Sequence, residues 1–243
     1  MNVAIIVQAR MTSTRLPGKV LMPVLNKPLL AYQLERLARL KNAQKLVVAT
    51  TTNESDDPII ELCQQLGVDY FRGSEHDVLS RYYHAALQVH ADVVVRICSD
   101  CPLIDPVVTD RVIAHFLENF PAYDYVSNCL VRTYPRGLDT EVFSFKVLEQ
   151  AFYEAKQEPE REHVTPFIWR QPAKFKLGSV VNETDLSNHR WTVDTPQDFL
   201  LIENIIKNLY PAKPCFGMTD VFALLHEYPA WMLLNAGVEQ KHV

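Results

Sequence analysis

Glycine is scarce in this chain: seven residues in 243, about 3% against a usual ~7%. No two of them are spaced as Gly-x-Gly, which removes the glycine-rich dinucleotide fingerprint. A P-loop is absent as well. Gly18-Lys19 is followed by Val20 rather than Ser or Thr, and Ser13 stands where the first glycine of that motif belongs. No apolar run approaches the ~18 residues that cross a bilayer. The opening run Val3 to Val7 is shorter than the ~7–15 residues of a signal-peptide core. The reading is a cytoplasmic protein without membrane insertion. Positive charge is also in deficit, with 24 Lys+Arg against 29 Asp+Glu and a net charge of −5. That argues against a general nucleic-acid binder, though not against a local site for one small anion. The five cysteines are odd in number and widely spread, so reduced thiols are expected. Cys98-Ser-Asp-Cys101 has no second pair to complete a zinc site, and Pro102 to Pro106 separate it from the next helix, unlike a thioredoxin-type pair.

What is present is an ordinary globular composition, 48% hydrophobic and 22% charged, and a strand–helix rhythm. Val3–Val7, Lys45–Ala49, Val68–Phe71 and Ala91–Ile97 read as buried strands. Helices are expected from Pro28 through Leu40, from an Asp57 cap and Pro58 to Gly67, over Asp77–Val89, and from Pro106 to about Asn119. Such repetition means a mostly parallel sheet with right-handed crossovers, an α/β Rossmann-like fold. After about residue 120 the rhythm changes. Strands are expected at 125–128, 140–143, 175–181 and 190–193, and helices at 144–155, 160–169, 196–209 and in the last 25 residues. We read one domain over 1–243, with an accessory lobe at about 123–190 and a C-terminal helical segment at about 214–243.

The loop after the first strand is the most informative segment: Gln8-Ala9-Arg10-Met11-Thr12-Ser13-Thr14-Arg15-Leu16-Pro17-Gly18-Lys19. In open parallel sheets ligands bind beyond the carboxyl ends of the strands. Arg10, Arg15 and Lys19 can surround a polyphosphate there, the guanidinium forks pairing with phosphate oxygens. Gly18 frees backbone N–H groups for close approach, and Pro17 stiffens the turn. A solvated basic loop would share this composition.

The string Ala-Arg-Met-Thr-Ser-Thr-Arg-Leu-Pro-Gly-Lys resembles the signature of cytidylyltransferases that make CMP-activated acidic sugars, the CMP-KDO and CMP-sialic acid synthetases. It is closest to the SpsF-like group of spore coat polysaccharide biosynthesis. The likeness continues through 71–82 (Phe-Arg-Gly-Ser-Glu-His-Asp-Val-Leu-Ser-Arg-Tyr), 96–106 (Arg-Ile-Cys-Ser-Asp-Cys-Pro-Leu-Ile-Asp-Pro), 135–143, 161–166 and 190–198. The resemblance implies a GT-A type nucleotide-diphospho-sugar transferase fold and transfer of CMP from CTP to a sugar or acidic-sugar acceptor. It implies CTP contacts from Gln8, Ala9, Arg10, Ser13, Arg15, Gly18, Lys19, Arg72 and Asp100. Arg10, Lys19 and Asp100 would be catalytic, and Asp100 and Asp194 would ligate Mg²⁺. It tilts Arg136, Asp139, Glu141 and His163 toward the acceptor, and it favours a homodimer. Each assignment has a plainer counterpart: a helix cap for Asp194, a cap at Ser74 or Glu75 beside Arg72, a hairpin ion pair for Arg136 to Glu141, a packed residue for His163. The chain departs from CMP-KDO synthetases at Cys98-Ser99, where they have Gln-Gly, so the acceptor need not be KDO-like. Two other enzymes remain: a guanylyl- or uridylyl-transferase acting on a sugar phosphate, and a GT-A glycosyltransferase. The latter would show Asp-x-Asp where this chain has Ser99-Asp100-Cys101.

Overall fold

The structure, a computed structural model, describes residues 1–240. Strand β1 (Val3–Gln8) lies in the interior of a seven-stranded sheet, because an apolar run of β-branched residues can be covered on both faces. Its alternation divides the core: Val3, Ile5 and Val7 pack into one apolar cluster, Ala4 and Ile6 into the other. A loop then leads through a turn at Lys19–Leu21 into a hairpin, β2 (Pro23–Val24) and β3 (Lys27–Pro28). Leu25 and Asn26 at its tip adopt left-handed φ values of 49° and 60°, the type I′ conformation that joins antiparallel strands with two residues. The sequence pattern marks no element between the first strand and the helix expected from Pro28, and the hairpin is a finding of the structure.

Helix α1 (Leu29–Leu37) follows, then β4 (Lys45–Thr51), α2 (Asp57–Leu66), β5 (Asp69–Gly73), α3 (Val78–Gln88), β6 (Val93–Cys98) and α4 (Pro106–Glu118). β4 and β6 flank β1 in parallel, and β5 extends the sheet beyond β4. The remaining elements are β7 (Tyr125–Ser127), β8 (Glu141–Ser144), α5 (Phe145–Glu154), α6 (Glu158–His163), α7 (Pro166–Trp169), β9 (Leu177–Ser179), α8 (Pro196–Leu209) and α9 (Met218–Glu227). The order across the sheet is β5-β4-β1-β6-β8-β7-β9. β8 is antiparallel to both β6 and β7, whereas β9 runs parallel to β7. The segment expected as an accessory lobe thus adds three strands to one sheet edge and α5–α7 to its flank.

Local expectations are corrected at four points. The position capping α2 is Asp56, not Asp57, and its side chain serves the loop described below. Neither Ser74 nor Glu75 caps α3; the Asp77 carboxylate accepts from the Ser80 N–H at 2.9 Å. One helix over 160–169 becomes two, broken at Val164, whose φ is +71°. Residues 190–193 form no strand, only an isolated bridge between Arg190 and Arg136.

Candidate active site

Beyond the carboxyl ends of β1 and β6 opens a cleft of about 690 Å³. Its first wall is the cationic loop. The loop is shaped by a residue that sequence reasoning does not single out: Asp56, fully buried, accepts from the Met11 N–H at 2.7 Å and from both Thr50 and Thr51. Gly18 closes the loop, donating its N–H to the Met11 carbonyl at 2.8 Å with φ of 71°, a conformation a Cβ disfavours. Lys19 therefore starts its turn with the side chain inside the cleft, where only 11% of it is exposed.

The Lys19 ammonium meets two carboxylates. It donates to Asp194 at 2.8 Å and lies 3.5 Å from Asp100. The earlier of these two aspartates, Asp100, follows β6 closely. The second arrives from 94 positions further along, held there because the Val193 N–H donates to the Asp100 carbonyl at 2.8 Å. Burial alone would lift the Asp194 pKa, but Lys19, Arg15 and Arg190 together hold it below the ordinary value. Arg15 lies 2.9 Å and Arg190 2.7 Å from its second oxygen. Burial pulls Lys19 down and the two aspartates outweigh it, so its pKa rises. Asp100 is less committed: among the described residues, besides Lys19, its carboxylate accepts only a weak bond from the Cys101 thiol at 3.3 Å. Arg10 lies 3.6 Å from Glu75 at the rim.

The far wall comes from 125–141 and 162–169. Asp139 receives a two-pronged bond from Arg132, at 2.6 and 2.9 Å. Glu141, nearly buried, pairs with Arg96 and accepts from the Tyr125 hydroxyl and the Thr165 hydroxyl, each at 2.6 Å. Both acidic residues of this segment are ion-paired, as a hairpin pairing would have it, but with Arg132 and Arg96 as partners rather than Arg136. Arg136 is fixed through its backbone to His189 and Trp191. Among the described residues its guanidinium has no hydrogen-bond or ion-pair partner, although it lines the cleft. Burial and the neighbouring Arg132 and Arg190 charges lower its pKa against the opposing pull of Asp139. Gly137 lets the chain turn there with φ of +101°; a Cβ would stand 2.7 Å from the Trp191 carbonyl carbon. His163 lines the same wall, its pKa pushed down first by burial.

The structure thus brings Gln8, Ala9, Arg10, Ser13, Arg15, Lys19, Asp100 and Asp194 to one cleft with Arg136, Asp139, Glu141 and His163. Gly18 supports the loop from behind. Arg72 is elsewhere. Its guanidinium donates to the Thr51 and Asn53 carbonyls, each at 2.9 Å, and pairs with Asp57, clamping β4 to α2 outside the cleft lining. Arg96, Arg190 and Asp198 fall inside segments that carry the family likeness, which assigns them no role, and Arg132 lies outside those segments. Asp198 is fully buried in the first turn of α8.

Among the described residues no three His, Cys, Asp or Glu side chains form a ready-made metal cage. The pair Asp100 and Asp194 nevertheless fits a hard cation that takes one or two carboxylates and completes its shell with substrate phosphates and water. An ammonium already bridges them.

Comparison with known proteins agrees with this geometry. Residues 4–227 match the family model described as Cytidylyltransferase. An uncharacterized protein of Methanocaldococcus jannaschii is 37% identical, covering 99% of this chain and 97% of that protein. The spore coat polysaccharide biosynthesis protein SpsF of Bacillus subtilis is 31% identical over 94% of this chain and 95% of its own. Among solved structures, a cytidylyltransferase from Leptospira borgpetersenii superposes over the whole of both chains with a TM-score of 0.92 and 35% identity. With residues 4–227 matched by the family model, the chain belongs to the cytidylyltransferases, enzymes of nucleotidyl transfer.

Proposed function

We propose that this enzyme transfers the CMP moiety of CTP to an anionic sugar-type acceptor, releasing pyrophosphate, as a cytosolic step of surface-polysaccharide precursor synthesis. The observation that carries the reading is the Lys19 ammonium shared by Asp100 and Asp194 beneath Arg10 and Arg15.

An acceptor hydroxyl oxygen forms a bond to the α-phosphorus while the bond from that phosphorus to the bridging oxygen of pyrophosphate breaks. The hydroxyl proton passes to water. Such a transfer needs alignment and charge neutralisation more than covalent participation by the protein. Arg10, Arg15 and Lys19 supply positive charge where the β- and γ-phosphates leave, from positions fixed before substrate arrives. Across the cleft, Arg136 offers an unengaged guanidinium to a carboxylate or phosphate of the acceptor. Its neighbours in the wall, Arg132–Asp139 and Arg96–Glu141, are paired one cation to one anion and so set shape rather than net charge. His163, neutral near pH 7, can hydrogen-bond without adding charge. Asp100 and Asp194 are the side chains that would hold Mg²⁺, which when bound supplies Lewis-acid polarisation of the α-phosphate. Pairing of two chains belongs to the same reading. It is supported by exposed apolar side chains at the C-terminal turn, Leu233 at 75% exposure and Met232 at 39%, and sedimentation velocity tests it.

The decisive assay is pyrophosphate release from CTP with Mg²⁺ across a panel of acidic, phosphorylated and neutral sugars. Mass spectrometry of the products completes it. The expected result is a CMP-sugar from an anionic acceptor only. A nucleoside-diphosphate product, or release with GTP or UTP at equal rates, overturns the assignment.

A further inference from the structure

Arg190 spends every nitrogen of its guanidinium inside the protein. Its Nε donates to Asp198 at 2.9 Å and one terminal nitrogen to Asp194 at 2.7 Å and Asp198 at 3.2 Å. The other terminal nitrogen bonds Gln240. Each guanidinium nitrogen is engaged within the protein and Arg190 is absent from the cleft lining, so it bears on the cleft through Asp194. Asp198, opposite it, is wholly buried and accepts in addition from the Asp194 N–H at 3.0 Å, the Thr195 N–H at 3.1 Å and the Thr195 hydroxyl at 3.0 Å. The backbone and the carboxylate of Asp194 are therefore held from one centre. That centre is completed by a residue from the end of the chain. The Asn235 amide donates to the Arg190 carbonyl at 3.0 Å and to Asp198 at 2.9 Å, with Asn235 itself 6% exposed. Asn235 and Gln240 both lie beyond residue 227, where the family match stops.

We infer that Asn235 is a positioning residue of the active site: through Asp198 and Arg190 it fixes the Asp194 carboxylate opposite Asp100, so the C-terminal segment sets how well the pair takes a cation. The inference rests on the two aspartates forming the cation site proposed above. A buried charge network is cooperative, and removing one donor leaves the other members free to shift. A carboxylate displaced by an ångström loses its share of a metal that demands near-octahedral geometry.

The test measures CTP binding by calorimetry with and without Mg²⁺, for the wild type, Asn235→Ala and Asn235→Asp, alongside melting temperature. The wild type should bind CTP more tightly with Mg²⁺ than without. In both variants metal-free affinity should stay within twofold, while the Mg²⁺-dependent gain falls fivefold or more. Asn235→Asp should lose more, since it sets a second carboxylate against Asp198. A lowered melting temperature with the full Mg²⁺-dependent gain, measured 15 °C below the midpoint, overturns the inference and leaves Asn235 a packing residue. Failure of the wild type to bind CTP overturns the nucleotide reading itself. Wild-type binding of CTP without any Mg²⁺ gain overturns the cation site and the role of Asn235 with it.

Discussion

Replacing Lys19 by Met removes the ammonium that joins Asp100 to Asp194 while keeping an apolar stem of similar length. After the change Asp194 retains Arg15 and Arg190, and Asp100 keeps only the Cys101 thiol. A hydrogen bond to a charged group contributes ~1.5–3 kcal/mol. The Asp100 side chain is 25% exposed and can rehydrate, which places the loss of stability toward the lower end, about 2 kcal/mol. For a chain of this size each kcal/mol moves the midpoint by ~2–4 °C, so the melting temperature should fall by about 4–8 °C. The effect on turnover is larger in kind. One preorganised donor aimed at developing charge is worth ~10²–10³ in rate, about 3–4 kcal/mol. Pyrophosphate release, measured well below the variant's midpoint, should therefore drop by two to three orders of magnitude, beyond what stability explains. A variant within threefold of wild-type turnover, or one with a raised midpoint, refutes the placement of Lys19 at the phosphates.

Arg136→Ala should raise KM for the acceptor about 10- to 100-fold, the equivalent of one charged hydrogen bond, and leave KM for CTP unchanged; steady-state kinetics with each substrate varied in turn decides it. Gly137→Ala forces a Cβ to 2.7 Å from backbone at a φ of +101° and should destabilise by about 3 kcal/mol, read from the urea midpoint. The charge network has a defined pH window. Asp194 and Asp198 have lowered pKa values, so their contribution is complete above the ordinary 3.8 and is lost as pH falls through the lower folded values. Lys19 has a raised one, so its contribution is complete below 10.5 and is lost as pH climbs through the higher folded value. The stability difference between the wild type and Lys19→Met, followed by urea unfolding, should accordingly be flat from about pH 5 to about pH 9. A slope across that range contradicts a raised Lys19 pKa and a lowered Asp194 pKa.

The parallel half of the fold was legible because its strands are apolar throughout and its helices carry end signals, such as Pro106 after the Asp105 cap and Gly67 in the left-handed region. The cationic loop and both aspartates were legible too, one by its composition and the others by family likeness. Arg72 was not, since two of its partners are carbonyls of Thr51 and Asn53, groups that leave no side-chain pattern, and the third, Asp57, reads in the sequence as a helix cap. The Arg190–Asp198–Asn235 centre was hidden for a related reason. Residues eight and 45 positions apart meet there only after α8 and the chain end have packed. The strand expected at 190–193 failed because that run is drawn into separate backbone bonds rather than a ladder: the Trp191 N–H donates to Arg136 and the Val193 N–H to Asp100. The helix expected over 160–169 has the right composition, yet Val164 turns the backbone through a left-handed residue between His163 and Thr165.

β6 is where the two halves of the cleft meet. On one side its parallel neighbour β1 delivers the cationic loop; on the other, the antiparallel β8 begins at Glu141, just after Asp139. Substitutions on the β8 side leave the β1–β6 pairing that sets the loop untouched, so under the proposed reading the acceptor wall can be altered without moving the nucleotide wall. A single strand thus works as a dividing line between the two proposed halves of the site, each adjustable from its own edge.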